Sequence, residues 1–323
     1  MKRNQSIELL RLLLMLLIVI EHVLGHGGGL LQIINNPSSE NVTVSFPTWL
    51  LYACCVIAVN VFVFISGSFG IKINLKKLVD ILLQAYSTSV IIFIVAMIVG
   101  MRFSTSHTLG YLMPITFNNW WFLSDYIVLM MLAPMLNQFT EVYSIKIQRC
   151  ILLFLFSILY IGGLLIDTCS ANLGYSIPCF VFLYILGRHT HQYNVLSTIP
   201  VSWTVCALFV ITMLNALLAY NFQGECYVMQ RIFAYNNPLV MLDAVLLYML
   251  FYKIRINIDF RNVSKYAFGI YLFHDNSFVR ENLVDWYNIM GGAIVPVIYV
   301  CCIMLEAVRQ YIVTKLSNKL IKI

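Results

Sequence analysis

Arg11 and His22 stand eleven residues apart in the apolar stretch IELLRLLLMLLIVIEHVLGH, residues 7–26. On a helix of 3.6 residues per turn this is three turns and a small remainder. Guanidinium and imidazole therefore share a face, roughly 16 Å apart along the axis. Glu8 falls one turn before Arg11, and His26 one turn after His22. Ionisable groups at membrane depth are expensive and face a protein interior or a wet cavity. An imidazole held there can take a proton from a hydroxyl, or carry an acyl group transiently. Glu21 beside it can orient the ring or stabilise the imidazolium. A guanidinium offers a planar fork that fits phosphate. His22 and His26 could also ligate a metal, but no HExxH pattern and no assured third ligand accompany them, so no metal site is expected.

These side chains need elements to carry them, and the composition says which. Of 323 residues 61% are hydrophobic and only 11% charged, which excludes a soluble globular chain of this length. The apolar runs are continuous rather than alternating, which excludes an outer-membrane barrel. The expected fold is all-α, a polytopic transmembrane bundle forming one domain over residues 1–323. About ten spans can be drawn, at 7–26, 47–70, 78–101, 121–139, 150–166, 175–187, 199–221, 238–252, 266–282 and 292–316. The sixth, eighth and ninth fall short of the ~20 residues that cross unaided. Sixteen of the twenty Lys and Arg residues lie at the termini, in even-numbered loops or, for Arg309 and Lys315, in the inner part of the last span, against Arg102, Arg231 and Arg280 on the other side. By the positive-inside rule both termini are expected to be cytoplasmic. The net charge of +6 follows from the same loops and gives no support to nucleic-acid binding.

With that orientation the buried polar residues sort by depth. Glu21 and His22 are expected in the outer half of the first span. Asp125 is expected one turn below Trp120 and Trp121, Asp243 under two turns into the eighth span, and His274 and Asp275 near mid-depth of the ninth. The inner half holds Glu8 and Arg11, with Lys76 and Lys77 at the start of the third span. Such a basic inner mouth suits a polyanionic ligand. No Walker loop is present, so a nucleotide would not be held by a soluble-fold motif.

Other features suggest packing or processing. Gly67 and Gly70, in Val-Phe-Val-Phe-Ile-Ser-Gly-Ser-Phe-Gly, suit close helix contact through small residues. Lys2 and Arg3 before an apolar run resemble a signal peptide, but Arg11 interrupts the run and the segment is expected to stay as the first span. Asn41-Val-Thr fits a glycosylation acceptor pattern. The nine cysteines lack metal spacing, and most suit the role of small hydrophobes. Cys169 and Cys226, near outer loops, are the one pair placed for a disulfide. His189 and His191 are expected in a cytoplasmic loop.

Four segments, taken in order, resemble the acyltransferase-3 family of multispanning bacterial acyltransferases. They are the Arg-x10-His pattern of Arg11 and His22; VNVFVFISGSFGI at 59–71; WWFLSDYIVLMMLAPMLN at 120–137; and FGIYLFHDN at 268–276, close to the Gly-Ile-Tyr-Leu-x-His motif of the surface-polysaccharide branch. An Arg-x-x-Arg common at the start of the third span is replaced here by NLKKLVDILLQAYS. No esterase-like domain accompanies the core, so the bundle itself is expected to complete the transfer. The resemblance implies a plasma-membrane O-acetyltransferase with acetyl-CoA as donor substrate, no bound cofactor, and a polysaccharide or lipid-linked glycan as acceptor. It implies donor binding at Arg11, Glu8, Lys76 and Lys77, with the phosphates on the cations. His22 would be base or acyl carrier, with Glu21, Asp125, His274 and Asp275 around it, and Ser66, Asn60 and Tyr271 are candidate oxyanion donors. A transporter or flippase using the same histidines and carboxylates as a proton relay is the alternative from another class.

Overall fold

The computed structural model describes residues 4–36, 43–101, 104–195 and 198–320. Lys2, Arg3 and the Asn41 acceptor pattern lie outside the described residues. The first span is α1 (Gln5–His22), capped by the Asn4 side chain, which accepts from Ser6 N at 3.0 Å. Directly after His22 the helix widens into a π-helical turn, Val23–Gly27. Gly29, at φ +73°, then turns the chain into the short α2 (Leu30–Asn35). The second span is α3 (Phe46–Val56) and α4 (Ala58–Phe69), stepped at Ile57. There follow α5 (Leu75–Ile98), α6 (Thr105–Leu112), α7 (Trp121–Val142), α8 (Ile145–Phe156) and α9 (Gly163–Ile166). A further π-helical turn, Ser157–Gly162, joins α8 to α9. The remainder is α10 (Ile177–Gln192), α11 (Val201–Phe222), α12 (Cys226–Ile232), α13 (Pro238–Lys253), α14 (Arg261–Ser264), α15 (Ala267–His274), α16 (Ser277–Met290) and α17 (Ile294–Leu320). No strand occurs among the described residues.

Six stretches are long and apolar enough to cross a membrane, or seven if α10 is joined to the turns at 168–174, against which it bends by 79°. Helices suit that setting because each satisfies its own backbone polar groups. Burial separates them by role: 72% of the α3–α4 window is inside the protein, against 17–28% of the other five. The α3–α4 span is therefore the central post, and the rest turn apolar side chains such as Leu83, Ile98, Leu153 and Ile166 outward.

The ninth expected span, 266–282, is not one helix. It breaks after His274 because Asn276 is extended and its side-chain oxygen accepts from Val279 N at 3.1 Å, capping a new helix, α16. The loop assignment of His189 and His191 is likewise corrected. Both lie in the last turns of α10, where His189 Nδ1 is 2.9 Å from Gln148 Oε1 on α8. Cys169 and Cys226 are free.

Small residues set the closest helix contact. A Cβ on Gly67 would land on the Tyr184 carbonyl of α10, and one on Gly187 would sit 2.5 Å from the Phe64 carbonyl of α4. Beyond this crossing the chain is stapled: Tyr184 Oη accepts from Ile71 N at 2.8 Å and donates to Asn137 Oδ1 at 2.8 Å, while Asn137 Nδ2 donates to Ile71 O at 3.0 Å. Two of the family-like segments, 59–71 and 120–137, thus meet in one clamp. The first helix is held by the last quarter of the chain. Ser6 Oγ donates to Ile254 O at 2.5 Å, the Gln5 side-chain oxygen accepts from Phe260 N at 2.9 Å, and Tyr299 Oη donates to Leu12 O at 2.9 Å.

Candidate active site

The shared face of α1 lines a cavity of about 420 Å³ between α1, α4, α5, α7 and α15. Arg11 marks one end, with Gln84, Ser264 and Lys265. Met15, Ile18, Phe62 and Phe122 form an apolar middle, with Tyr126 and Ser66 on one wall. Glu21, His22, Asp275, Tyr271, Trp121 and Tyr235 close the other end.

At the Arg11 end, Arg11 Nη1 donates to Glu8 Oε1 at 2.9 Å, and Ser264 Oγ donates to Glu8 Oε2 at 2.5 Å. Glu8 is buried and holds Arg11 from behind, while Arg11 keeps about a third of its side chain exposed. Glu8 thus positions a cation and is not placed to bind an anion itself. Lys76 and Lys77 are exposed on the first turn of α5 and do not line the cavity; the lysine that does is Lys265.

At the far end, His22 lies between two carboxylates. Its Nε2 is 3.5 Å from Glu21 Oε2, and its Nδ1 is 3.6 Å from Asp275 Oδ1. Both distances exceed a formed hydrogen bond, although catalytic contacts commonly tighten when substrate binds. Glu21 is fixed by Tyr52, whose hydroxyl donates at 3.1 Å. Asp275 is fixed by Arg280 of α16, whose Nε donates at 2.9 Å and whose Nη2 also contacts the same oxygen. The break after His274 makes this possible, because it lets α16 turn back over Asp275. The His274 ring lies 5.0 Å from that of His22. Its Nδ1 donates to Ile270 O at 2.7 Å, and its Nε2 has no partner among the described residues. His26, in the π-helical turn, stands edge-on to His22 at 5.7 Å.

The remaining expected residues divide. Tyr271 lines the cavity beside His274. Ser66 lines it too, but its hydroxyl donates to Phe62 O at 2.9 Å and meets Tyr126 Oη at 2.9 Å, so it holds no spare donor for an oxyanion. Asn60 is buried off the cavity and donates to Tyr235 O at 2.8 Å, positioning the Tyr235 backbone. Asp125 is half-buried and off the cavity wall. Asp243 does not join the cluster either; its Oδ2 accepts from Thr212 on α11 at 3.0 Å.

Sequence reasoning missed Arg280 and Tyr52. Lys265 is one of the loop cations, with Lys146, Arg149, Arg188, Arg255 and Arg261, that the sequence offers for the inner mouth beside Arg11, and it lines the cavity. The one available signal for Arg280 is its place five residues after Asp275, in a polar segment, HDNSFVREN, that interrupts the expected ninth span. Gly269 carries a further constraint, since a Cβ there would run into the Glu306 side chain of α17. Glu306 in turn is held by Arg309, at 2.7 Å, and by Gln84 Nε2, at 3.0 Å. Among the described residues no cluster of three His, Cys, Asp or Glu is arranged to hold a metal ion.

The arrangement joins an end lined by Arg11 and Lys265 to a histidine–carboxylate end through an apolar, aromatic channel. A family model described as an acyltransferase domain matches residues 4–306. No curated protein and no solved structure matches the chain.

Proposed function

The chain belongs to the acyltransferase-3 family, and from that membership we propose that it carries an acetyl group from cytoplasmic acetyl-CoA to a hydroxyl of a cell-surface polysaccharide or its lipid-linked precursor, in a bacterial plasma membrane. The proposal includes the ten-span arrangement with both termini cytoplasmic, which puts Arg11 at the inner end of the cavity. The observation that carries it is the single cavity lined by both Arg11 and His22. Their separation of roughly 16 Å along α1 suits an extended pantetheine arm. The cavity volume suits the arm and its acyl group. The nucleotide would remain outside, its phosphates against Arg11 and Lys265.

The thioester then meets His22. Asp275 favours the tautomer with hydrogen on Nδ1, leaving Nε2 to accept. Nε2 takes the proton of the acceptor hydroxyl as its oxygen attacks the thioester carbon. The C–S bond breaks as the C–O bond forms, and the imidazolium returns its proton to the departing CoA thiolate. Asp275 and Glu21 stabilise the imidazolium while it lasts. Tyr271 is the cavity-lining hydroxyl from which an oxyanion contact would be sought first.

The test uses purified protein in lipid vesicles with acetyl-labelled acetyl-CoA and glycan prepared from the host surface. Acetylated glycan and stoichiometric free CoA are expected. Movement of either compound across the membrane without cleavage of the thioester would overturn the proposal in favour of transport.

A further inference from the structure

Next to the catalytic end, on the far side of the Asp275–Arg280 pair, lies a second pocket of about 170 Å³. Its lining differs in kind from that of the main cavity. Ser89, Tyr111, Asn118, Asn119, Trp120, Asn276, Ser277 and Arg280 line it, and Ile92 is the one aliphatic side chain among them. The turn that carries it is set by Asn118, which adopts φ +53°, a left-handed backbone that asparagine tolerates better than most residues. This presents Asn119 and Trp120 just before α7 begins.

Most of these polar groups are already bonded to one another or to the backbone. Ser89 donates to Tyr111 O at 2.6 Å, Tyr111 Oη pairs with Ser277 Oγ at 2.6 Å, and the Asn276 amide serves Phe273 O and Val279 N. Trp120 is not spent. It is 2% exposed, it walls the pocket, and its Nε1–H has no acceptor among the described residues. A buried indole N–H normally finds a partner. The Asn119 side-chain amide beside it also lacks a hydrogen bond among the described residues, its backbone N–H alone donating, to Pro114 O at 2.9 Å. The charge is close to neutral, because Arg280 is already matched by Asp275. An anion therefore gains little here. A neutral, hydroxyl-rich ring gains an indole donor, amide groups on its edge and an aromatic wall.

We propose that this pocket is the acceptor subsite, holding one sugar ring of the glycan with its Arg280 edge toward the catalytic histidines. The proposal rests on the acyl-transfer function above. Arg280 belongs to both places, since it borders the sugar pocket and holds the carboxylate that orients His22. Occupancy of the subsite is thereby coupled to the setting of the base.

The experiment uses the full chain in detergent and oligosaccharide fragments released from the host surface glycan. Binding is measured by calorimetry without donor, and KM is measured for each substrate. Trp120→Phe keeps the ring and removes the donor; Asn119→Ala, at a half-buried turn position, provides a second variant should the first fail to fold. Each is expected to weaken fragment binding and raise the fragment KM by roughly 3–10-fold, the loss of one hydrogen bond, with the acetyl-CoA KM unchanged. Unchanged fragment binding in both variants would overturn the subsite, and so would an equal rise in both KM values. If the unaltered protein binds fragments through Trp120 yet never cleaves acetyl-CoA, the function fails while the sugar pocket stands.

Discussion

Asp275→Asn separates orientation of His22 from the presence of His22. The carboxylate is almost fully buried, and Oδ1 lies 3.6 Å from His22 Nδ1. At that distance and an effective dielectric constant near 20, its attraction for an imidazolium is about 4–5 kcal/mol. Arg280 shares the same oxygen but is retained in the variant, so its repulsion cancels and the loss for the charged transition state is up to about 4–5 kcal/mol, or about 10³-fold in rate. An asparagine oxygen can still accept from Arg280, and Arg280 is partly exposed, so little folding stability should be lost. In a saturating assay with labelled acetyl-CoA and glycan, kcat should fall by up to about 10³-fold while acetyl-CoA binding holds. The double variant with His22→Ala should be no worse than His22→Ala alone, because a group that acts through the imidazole has nothing left to act on. Multiplying losses in the double variant would refute this assignment, as would wild-type kcat in Asp275→Asn.

His22→Ala should insert and bind acetyl-CoA but lose transfer by roughly 10²–10⁴-fold, as for a missing general base; an active variant would move the role to His274. Arg11→Lys should raise the acetyl-CoA KM and leave the acceptor KM alone, because lysine keeps the charge and loses the fork held by Glu8; an unchanged donor KM would make Arg11 structural. Gly67→Ala should lower thermal stability in detergent by about 1–3 kcal/mol or more, since the new methyl meets the Tyr184 carbonyl rather than a yielding side chain; an unshifted melting curve would contradict the close crossing. In a cysteine-depleted background, an impermeant maleimide added from outside should label Asp167→Cys and spare Asn257→Cys, and the reverse pattern would invert the topology.

Much of the site was legible because helix geometry is local. The eleven-residue interval fixes Arg11 and His22 on one face whatever packs against them, and both line the same cavity. Depth along a helix, by contrast, gives height and not direction. Asp125 and Asp243 stand at plausible heights, yet neither lines the cavity; Asp243 pairs with Thr212 and Asp125 is only half-buried. The break after His274 was hidden because neither glycine nor proline marks it, only an asparagine that works as a cap. With the break unseen, Arg280 could not be brought back to Asp275. Lys76 and Lys77 have the composition expected of an anion site, while Lys265, further along the chain, is the lysine that lines the cavity.

The ties between the first helix and the last quarter of the chain bear on how the molecule is made. Helix α1 leaves the ribosome before the other described helices, carrying Glu8, Arg11, Glu21 and His22 into the bilayer. Arg11 pairs with Glu8 at once and Glu21 meets Tyr52 of the second span, but the Ser264 hydroxyl on Glu8, the Asp275 carboxylate beside His22 and the Tyr299 hydroxyl that grips the α1 backbone are synthesised some 250 residues later. For most of translation the nascent first span holds polar groups that lipid cannot solvate. It must wait beside the translocation machinery or other partially inserted helices until α14–α17 arrive. A ribosome stalled after α13 would therefore leave an orphaned, membrane-embedded intermediate open to quality-control proteolysis, and not a smaller stable bundle.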